Sequence, residues 1–387
     1  MIPRLEPPIK VMRVIARMNV GGPAVQVAGL MRNLDSEIFE HRLYAGFCTP
    51  DELDYLETSA TDLRVTRVPG LGRHISATSD IRALFFLAKA IRKFKPDIIH
   101  THTAKAGFLG RVASIISGHR SIRIHTFHGH LLKGYFSKNK TNLVVLAEYV
   151  LAKFSTYLLA VGEQVRQDLL DRNIGELRKF GVMPPGITLG APLEKFKSKI
   201  QLGLNPKKIH CAFIGRITQI KRPDRFLDVV SELQLLSPDV QFFVAGEGDF
   251  YDYMRNRIEH ESLPVDLLGW QSNIELVLSA SDIVVLTSDN EGTPISLIQA
   301  GMFGIPVVST NVGSVNEVVI HNQTGLLTGL QSSEIAQSIK ILADSAKLRE
   351  DLGNSARNFT QSRFSSERLS KDHKELYLKL IKNRANF

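Results

Sequence analysis

At 387 residues the chain is too long for one ordinary domain, and its 43% hydrophobic and 22% charged content are those of a soluble globular protein. Two distant cysteines, Cys48 and Cys211, make no disulfide framework and suit a reducing cytoplasm; the start of the chain lacks the apolar core of a signal peptide, and Glu148 and Lys153 break the greasiest region, 143–161, so that no spanning helix is expected. The net charge of +9 is uneven: residues 1–190 carry 26 Lys and Arg against 16 Asp and Glu, and residues 191–387 carry 22 against 23.

In chain order, apolar strand-like runs alternate with amphipathic helix-like segments. Strands are predicted over 11–16 and 42–48, with a helix over 23–34 between them. A helix follows over 81–94, with Ile81, Leu84, Phe85, Ala88 and Ile91 at helical spacing. Then come a strand core at 98–99, a helix over 106–117, a strand over 122–126, a helix over 143–154, a strand over 157–161 and a short helix over 165–170. Residues 180–187 close this series, and 189–205 reads as a linker. A second series repeats the alternation, with strands at 210–214, 240–245, 265–268, 283–286 and 307–308 and helices at 223–234, 251–260, 274–280, 294–303 and 334–344. A polar amphipathic helix over 365–381 ends the chain. Such alternation means βαβ units and parallel sheets with helices on both faces. The expected fold is α/β, with two Rossmann-like halves facing a cleft, since ligands sit at the C-terminal ends of such strands.

The segment from Thr287 to Gly301 is the most informative. It follows the buried strand Ile283-Val284-Val285-Leu286, and its helix is expected to start with Thr293 as N-cap and Pro294 at the first helical position. Glu291 then stands before a helix N-terminus, whose free N–H groups and dipole make an anion site, and Gln299 lies about two turns inside. A carboxylate beside such a terminus can hold sugar hydroxyls while the terminus holds a phosphate.

Several other motifs occur in order. Gly21-Gly22-Pro23 follows the first strand; Asp97-Ile98-Ile99-His100-Thr101-His102 and His125-Thr126-Phe127-His128-Gly129-His130 occupy the middle. The second half has Gly215-Arg216 with Lys221-Arg222-Pro223, then Gly246-Glu247-Gly248-Asp249 and Leu268-Gly269-Trp270. With the Glu291 segment these residues resemble the family 4 glycosyltransferases along nearly the whole chain. The resemblance implies the GT-B fold, with a first domain over 1–190, a donor-binding domain over 191–364 and a C-terminal helix, 365–387, crossing back to the first.

What the resemblance implies about chemistry is specific. Arg216 and Lys221 would neutralise charge on a departing nucleoside diphosphate. Glu291 would hydrogen-bond donor-sugar hydroxyls, and His128 would lie beside the donor sugar. Gly21, Gly22, Gly215, Gly246, Gly248, Gly269, Trp270, Gly292, Thr293, Pro294 and Gln299 would bind the donor, a nucleotide sugar expected to be UDP-linked. The family's second acidic residue is here Gln299, which keeps hydrogen bonds to a ribose but loses the charge-assisted grip. Transfer would be retaining, with no cofactor and no metal. The histidines His100, His102, His125, His128 and His130 could suggest zinc, but neither cysteine is near and no carboxylate has ligand spacing. Lys105 and Lys133 could meet an acceptor phosphate.

The basic first half fits docking on the anionic inner face of a cell membrane and a lipid-linked saccharide acceptor in cell-envelope polysaccharide assembly, although a solvated basic surface accounts for the charge equally well. The competing readings are an epimerase-like or binding-only protein on the same fold, motivated by Gln299, and a nucleic-acid-binding protein. No recognition module, basic helix or stacking motif supports the last.

Overall fold

A computed structural model describes residues 8–50, 52–129, 138–237 and 239–385. The chain divides into two compact units, Met1–Ile187 with Ser365–Phe387, and Thr188–Phe364. Ile187 bridges in parallel to Ser365, which sets the boundary there.

The first unit is a parallel seven-stranded sheet. Its strands are β1 (Ile9–Ile15), β2 (Phe39–Ala45), β3 (Val65–Arg67), β4 (Ile98–His102), β5 (Ile122–Phe127), β6 (Tyr157–Ala160) and β7 (Phe180–Val182), in the order β3-β2-β1-β4-β5-β6-β7. The crossovers are α1 (Gly22–Asn33), α2 (Tyr55–Thr58), α3 (Ala77–Phe94), α4 (Ala104–Ile116), α5 (Lys138–Phe154) and α6 (Glu163–Leu170). Side chains alternate across a strand, so the sheet has two separate cores. On one face Met12, Val14 and Ile99 pack against Leu87, Ile91, Leu109 and Ala113 of α3 and α4. On the other, Val11, Ile98 and Ile124 pack against Leu30 of α1 and Tyr377 of the C-terminal helix.

The second unit has a parallel six-stranded sheet, β8 (Ile209–Ile214), β9 (Val240–Ala245), β10 (Val265–Leu267), β11 (Ile283–Leu286), β12 (Val307–Thr310) and β13 (Gly325–Thr328), in the order β10-β9-β8-β11-β12-β13. Its helices are α7 (Lys195–Gln201), α8 (Pro223–Leu236), α9 (Tyr251–Glu261), α10 (Ile274–Ala280), α11 (Ile295–Met302), α12 (Ser332–Asp344) and α13 (Ala346–Phe364). The strand order reverses between β8 and β11, as it does between β1 and β4 in the first unit, and such reversals open a crevice beyond the strand ends. The last helix, α14 (Ser366–Ala385), belongs to the first unit. Among the described residues no helix is long and apolar enough to cross a membrane.

The expected linker 189–205 is partly a helix. Glu194 caps α7 through the N–H groups of Phe196 and Lys197, and Lys195 and Lys199 both pair with Asp282 at the start of β11, at 2.8 and 2.6 Å. A helix docked through lysines leaves no apolar period to read.

Candidate active site

The reversal point of the second unit collects most of the charged residues singled out above. After Gly215 the chain makes one 3-10 turn, Gln219–Lys221, and its carbonyls are held by the loop beyond β11. The Asp289 N–H donates to the Ile220 carbonyl at 2.9 Å, and the Thr287 hydroxyl to the Lys221 carbonyl at 2.9 Å. This brings Lys221 Nζ to Glu291 Oε1 at 2.5 Å, and the Ser288 hydroxyl donates to the same oxygen at 2.5 Å. Glu291 is 9% exposed, so the pair is only weakly screened. Its backbone is also pinned, because its carbonyl accepts from the Ser314 N–H at 3.1 Å.

A brace beneath this pair escaped the sequence reading. Arg222 adopts a left-handed conformation (φ 54°) at the start of α8, and its guanidinium reaches Asp224 at 2.7 Å and Asp289 at 3.1 Å. Arg225 donates to the Thr287 carbonyl at 2.6 Å and to Asp289 at 2.7 Å. The hydrogen bond that Arg222 donates to Asp224, with a second to Asp289, pushes the Arg222 guanidinium pKa up, and Arg222 in turn holds the Asp224 carboxyl below its usual range. The only sequence signal for the brace was the basic pair Lys221-Arg222 facing an acidic loop. Arg216 differs from all of these. It is exposed, and among the described residues no carboxylate pairs with it.

The glycine positions form one backbone layer beside these charges. A Cβ on Gly246 would lie 2.0 Å from the Gly215 carbonyl oxygen, so the two loops touch through bare main chain. The Gly246 N–H donates to the Gly269 carbonyl at 2.8 Å, the Ile217 N–H to the Glu247 carbonyl at 2.9 Å, and the backbone N–H of the half-buried Trp270 to Glu247 Oε1 at 3.3 Å. Gly215, Gly246, Gly248, Gly269 and Trp270 thus lie on adjoining loops at one edge of the Arg216–Lys221 turn.

The expected cap is corrected. α11 starts at Ile295, with Pro294 as the N-cap residue (ψ 105°) and no side-chain cap. Pro294 is extended, so Thr293 falls one residue outside the cap and Pro294 outside the helix. Gln299 is accordingly in the second turn, half-buried, and no described residue hydrogen-bonds its side chain.

In the first unit the sheet separates the histidines. Arg13 pairs in register with His100 and Ile15 with His102, which places His100 and His102 on the face covered by α1 and α14. His125 points the other way, into the notch at Gly107 of α4, where a Cβ would come 2.3 Å from its ring. His100 bonds the Tyr377 hydroxyl at 2.6 Å and Thr126 at 2.7 Å, and stacks on His102 at 4.3 Å. His102 Nδ1 lies 3.0 Å from His128 Nε2. Desolvation pushes His128 down to about 4 and His373 of α14 to about 3, and lowers His100, His102 and His125 well below the usual 6.5. The rings bond one another and hydroxyls, and among the described residues no group of three or more His, Cys, Asp or Glu is placed to hold a metal. Gly21 precedes α1 with no side-chain cap, and Gly22 and Pro23 open the helix. Lys105 is committed to Asp80 at 2.6 Å rather than left for an acceptor phosphate. His130 and Lys133 lie outside the described residues.

Comparison with known proteins matches both units. The family model described as glycosyl transferases group 1 covers residues 194–359, and the glycosyl transferase 4-like domain covers 21–186. The chain is 28% identical over 347 residues to the Escherichia coli UDP-Gal:alpha-D-GlcNAc-diphosphoundecaprenol alpha-1,3-galactosyltransferase, spanning 86% of this chain and 87% of that protein. It is 25% identical to the Staphylococcus aureus capsular polysaccharide biosynthesis glycosyltransferase CapM, spanning 85% and 89%. In fold it is similar to Anabaena Alr3699/HepE, solved in complex with UDP and glucose, with a TM-score of 0.80 at 18% identity over 95% of this chain and 99% of the other.

Proposed function

Because the chain belongs to the group 1, family 4-type glycosyltransferases with the GT-B fold, we propose that it moves a hexose from a UDP-sugar to a hydroxyl of a lipid-linked saccharide during polysaccharide biosynthesis, with retention and without a metal. The names of its relatives support the substrate classes: one uses UDP-galactose and a diphosphoundecaprenol-linked acceptor, and another serves capsular polysaccharide biosynthesis.

The observation that carries this reading is the charge arrangement at the β8–β11 reversal, a half-buried Lys221–Glu291 pair beside the exposed Arg216, which no described carboxylate pairs with. Lys221 is already half neutralised by Glu291, so Arg216 is the cation free to take up negative charge on a leaving diphosphate. Both hydrogen bonds to the Glu291 side chain fall on Oε1, so Oε2 keeps its acceptor capacity for sugar hydroxyls. The Gly215, Gly246 and Gly269 layer supplies main-chain groups for the base and ribose, and Gln299 the ribose hydroxyls. In the first unit, the Gly21-Gly22 loop is assigned to the phosphates and His128 to a sugar hydroxyl. His128 suits that role as a neutral ring at neutral pH, able to accept or donate.

The reaction breaks the bond from the anomeric carbon to the diphosphate oxygen and forms one to the acceptor oxygen on the same face. The acceptor's proton passes to the departing diphosphate oxygen, so no pair of protein carboxylates has to flank the reacting carbon, in contrast to glycosidases. The rate then comes from positioning and from Arg216 and Lys221.

A thermal-shift screen of nucleoside diphosphates and nucleotide sugars identifies the donor, since a bound ligand raises apparent stability with its affinity. Arg216→Ala in the same assay series should cut turnover by about 10²-fold or more. Because no described residue ion-pairs or hydrogen-bonds with the exposed Arg216 side chain, the melting temperature of the free protein should stay put. Normal turnover would remove Arg216 from the mechanism, and turnover abolished by EDTA would overturn metal independence.

A further inference from the structure

Of the ring group His100, His102, His128 and His373, only His128 is partly exposed. Its Nε2 lies 3.0 Å from His102 Nδ1. Burial lowers the pKa of both rings, His128 to about 4, so at neutral pH each is neutral and carries one proton. A hydrogen bond between two neutral imidazoles has a single donor, and which ring donates decides what His128 has left to offer a ligand.

The far side of His102 decides the matter. His102 Nε2 is buried and has no hydrogen-bond partner among the described residues. With His128 as donor, the His102 proton would sit on that nitrogen as a stranded N–H, carrying the full desolvation penalty of an unmade bond. It would also add the positive end of an N–H dipole to a ring already acted on by the charge of Arg13. Arg13 is fully buried and permanently charged, and its own Nε and Nη2 have no acceptor. With His102 as donor, Nδ1–H is used on His128 and Nε2 keeps a lone pair. That lone pair is unpartnered too, but it is the form that a neighbouring cation stabilises. The ring is held in place for this, since it stacks on His100 at 4.3 Å, and His100 is fixed by the Tyr377 hydroxyl at 2.6 Å and Thr126 at 2.7 Å.

We propose that His102 is a positioning residue for the donor sugar: by donating Nδ1–H to His128 Nε2 it fixes His128 as the Nδ1–H tautomer, which donates to a sugar hydroxyl rather than accepting from it. The role in sugar binding rests on the assignment of His128 given above; the proton placement within the pair does not.

Long-range nitrogen–proton spectra of the full chain labelled in histidine read the tautomers, with His128→Ala identifying the signal. His128 protonated on Nδ1 is the expected result, and protonation on Nε2 overturns the proposal. Calorimetric titration then compares UDP with UDP-glucose, UDP-galactose and UDP-N-acetylglucosamine. His102→Leu should weaken the nucleotide sugar that wild type binds by roughly tenfold, while the Kd of UDP changes by less than about twofold. His102→Asn, whose amide nitrogen stands where Nδ1–H was, should regain most of the loss; His102→Gln, which reaches the Nε2 position instead, should not. The Asn and Gln variants decide the point even where circular dichroism shows that the Leu variant misfolds. Equal sugar affinity in wild type and all three variants overturns the proposal. Equal weakening of UDP and the nucleotide sugar, or Asn no better than Gln, overturns it in favour of a purely structural ring. If no nucleotide sugar binds wild type, or His128→Ala binds it as wild type does, the donor assignment falls and the role of His102 with it. If His128→Ala loses the sugar and the His102 variants do not, only the positioning role is wrong.

Discussion

At the C-terminal strand ends of the second unit, acids and bases are paired across loops, as Lys221 is with Glu291 and Arg225 with Asp289, whereas at the same level of the first unit neutral rings surround the buried Arg13, which no described carboxylate pairs with. The outer surfaces contrast as well. On α9 and α12 of the second unit, half-buried bases pair with exposed acids, as Arg257 does with Glu261 and Lys340 with Asp344, while α5 of the first unit turns its acid inward and its leucines outward. The two sheets share a parallel, Rossmann-like winding, so winding alone does not decide how charge is spent. What differs is where acids and bases are closed into pairs: across the strand-end loops of the second unit, and between α4 and α5 inside the first, as Arg111 and Glu148 are.

The largest effect that can break this comparison is expected at Glu148. Removing one member of a buried ion pair strands the other charge, so Glu148→Ala should cost about 3–5 kcal/mol. The single tryptophan, Trp270, reports on the second unit alone. Urea unfolding followed by far-UV circular dichroism should therefore gain an early transition while the Trp270 fluorescence transition stays in place. A common shift in both signals would mean that the units unfold as one and that the contrast between them is not energetic.

Acid should also separate the units. The folded pKa values of His128 and His373 lie below the unfolded value of 6.5, so between 6.5 and about 4 the unfolded state binds more protons. The contribution of these rings is thus complete above 6.5 and is lost as pH falls towards 4, by about 3 kcal/mol for His128 alone. In the second unit only His210 is similarly lowered among the described residues, by burial and Lys199, with Asp282 opposing. Circular dichroism melts at pH 7 and pH 5 should show the first unit weakening more than Trp270 reports. Equal loss in both units would show that the ring cluster is hydrated.

The smallest effect is at Gln299. If its side chain holds ribose hydroxyls, Gln299→Glu converts neutral hydrogen bonds into charge-assisted ones and should tighten UDP binding by about 1 kcal/mol in titration calorimetry. An unchanged Kd would place Gln299 outside the nucleotide site.

Most of the architecture was legible from the order of apolar runs and helical periods, because burying one face of a strand or helix forces that pattern on the chain. Elements held by charge were not. The α7 helix docks through Lys195 and Lys199 on Asp282, and its sequence looks like a linker. The N-cap was misplaced by one residue because Thr-Pro satisfies the usual capping pattern, while the extended Pro294 ψ of 105° decides where the helix begins.

By itself the sequence determined the α/β class, the two series, the family resemblance and the residue types available for transfer, since these depend on local pattern and on motif order. Only the tertiary structure decided which charges are paired and which are free. Lys221 and Glu291 are 70 positions apart, as Arg111 and Glu148 are 37, and nothing local announces that each pair is closed. Arg216 carries the same charge as Lys221 five residues earlier but is left open. The histidines that crowd the sequence are likewise divided by strand alternation, which sends His125 to one face of the sheet and His100 and His102 to the other. Long-range pairing and sheet geometry set these outcomes, and neither is a property of any single segment.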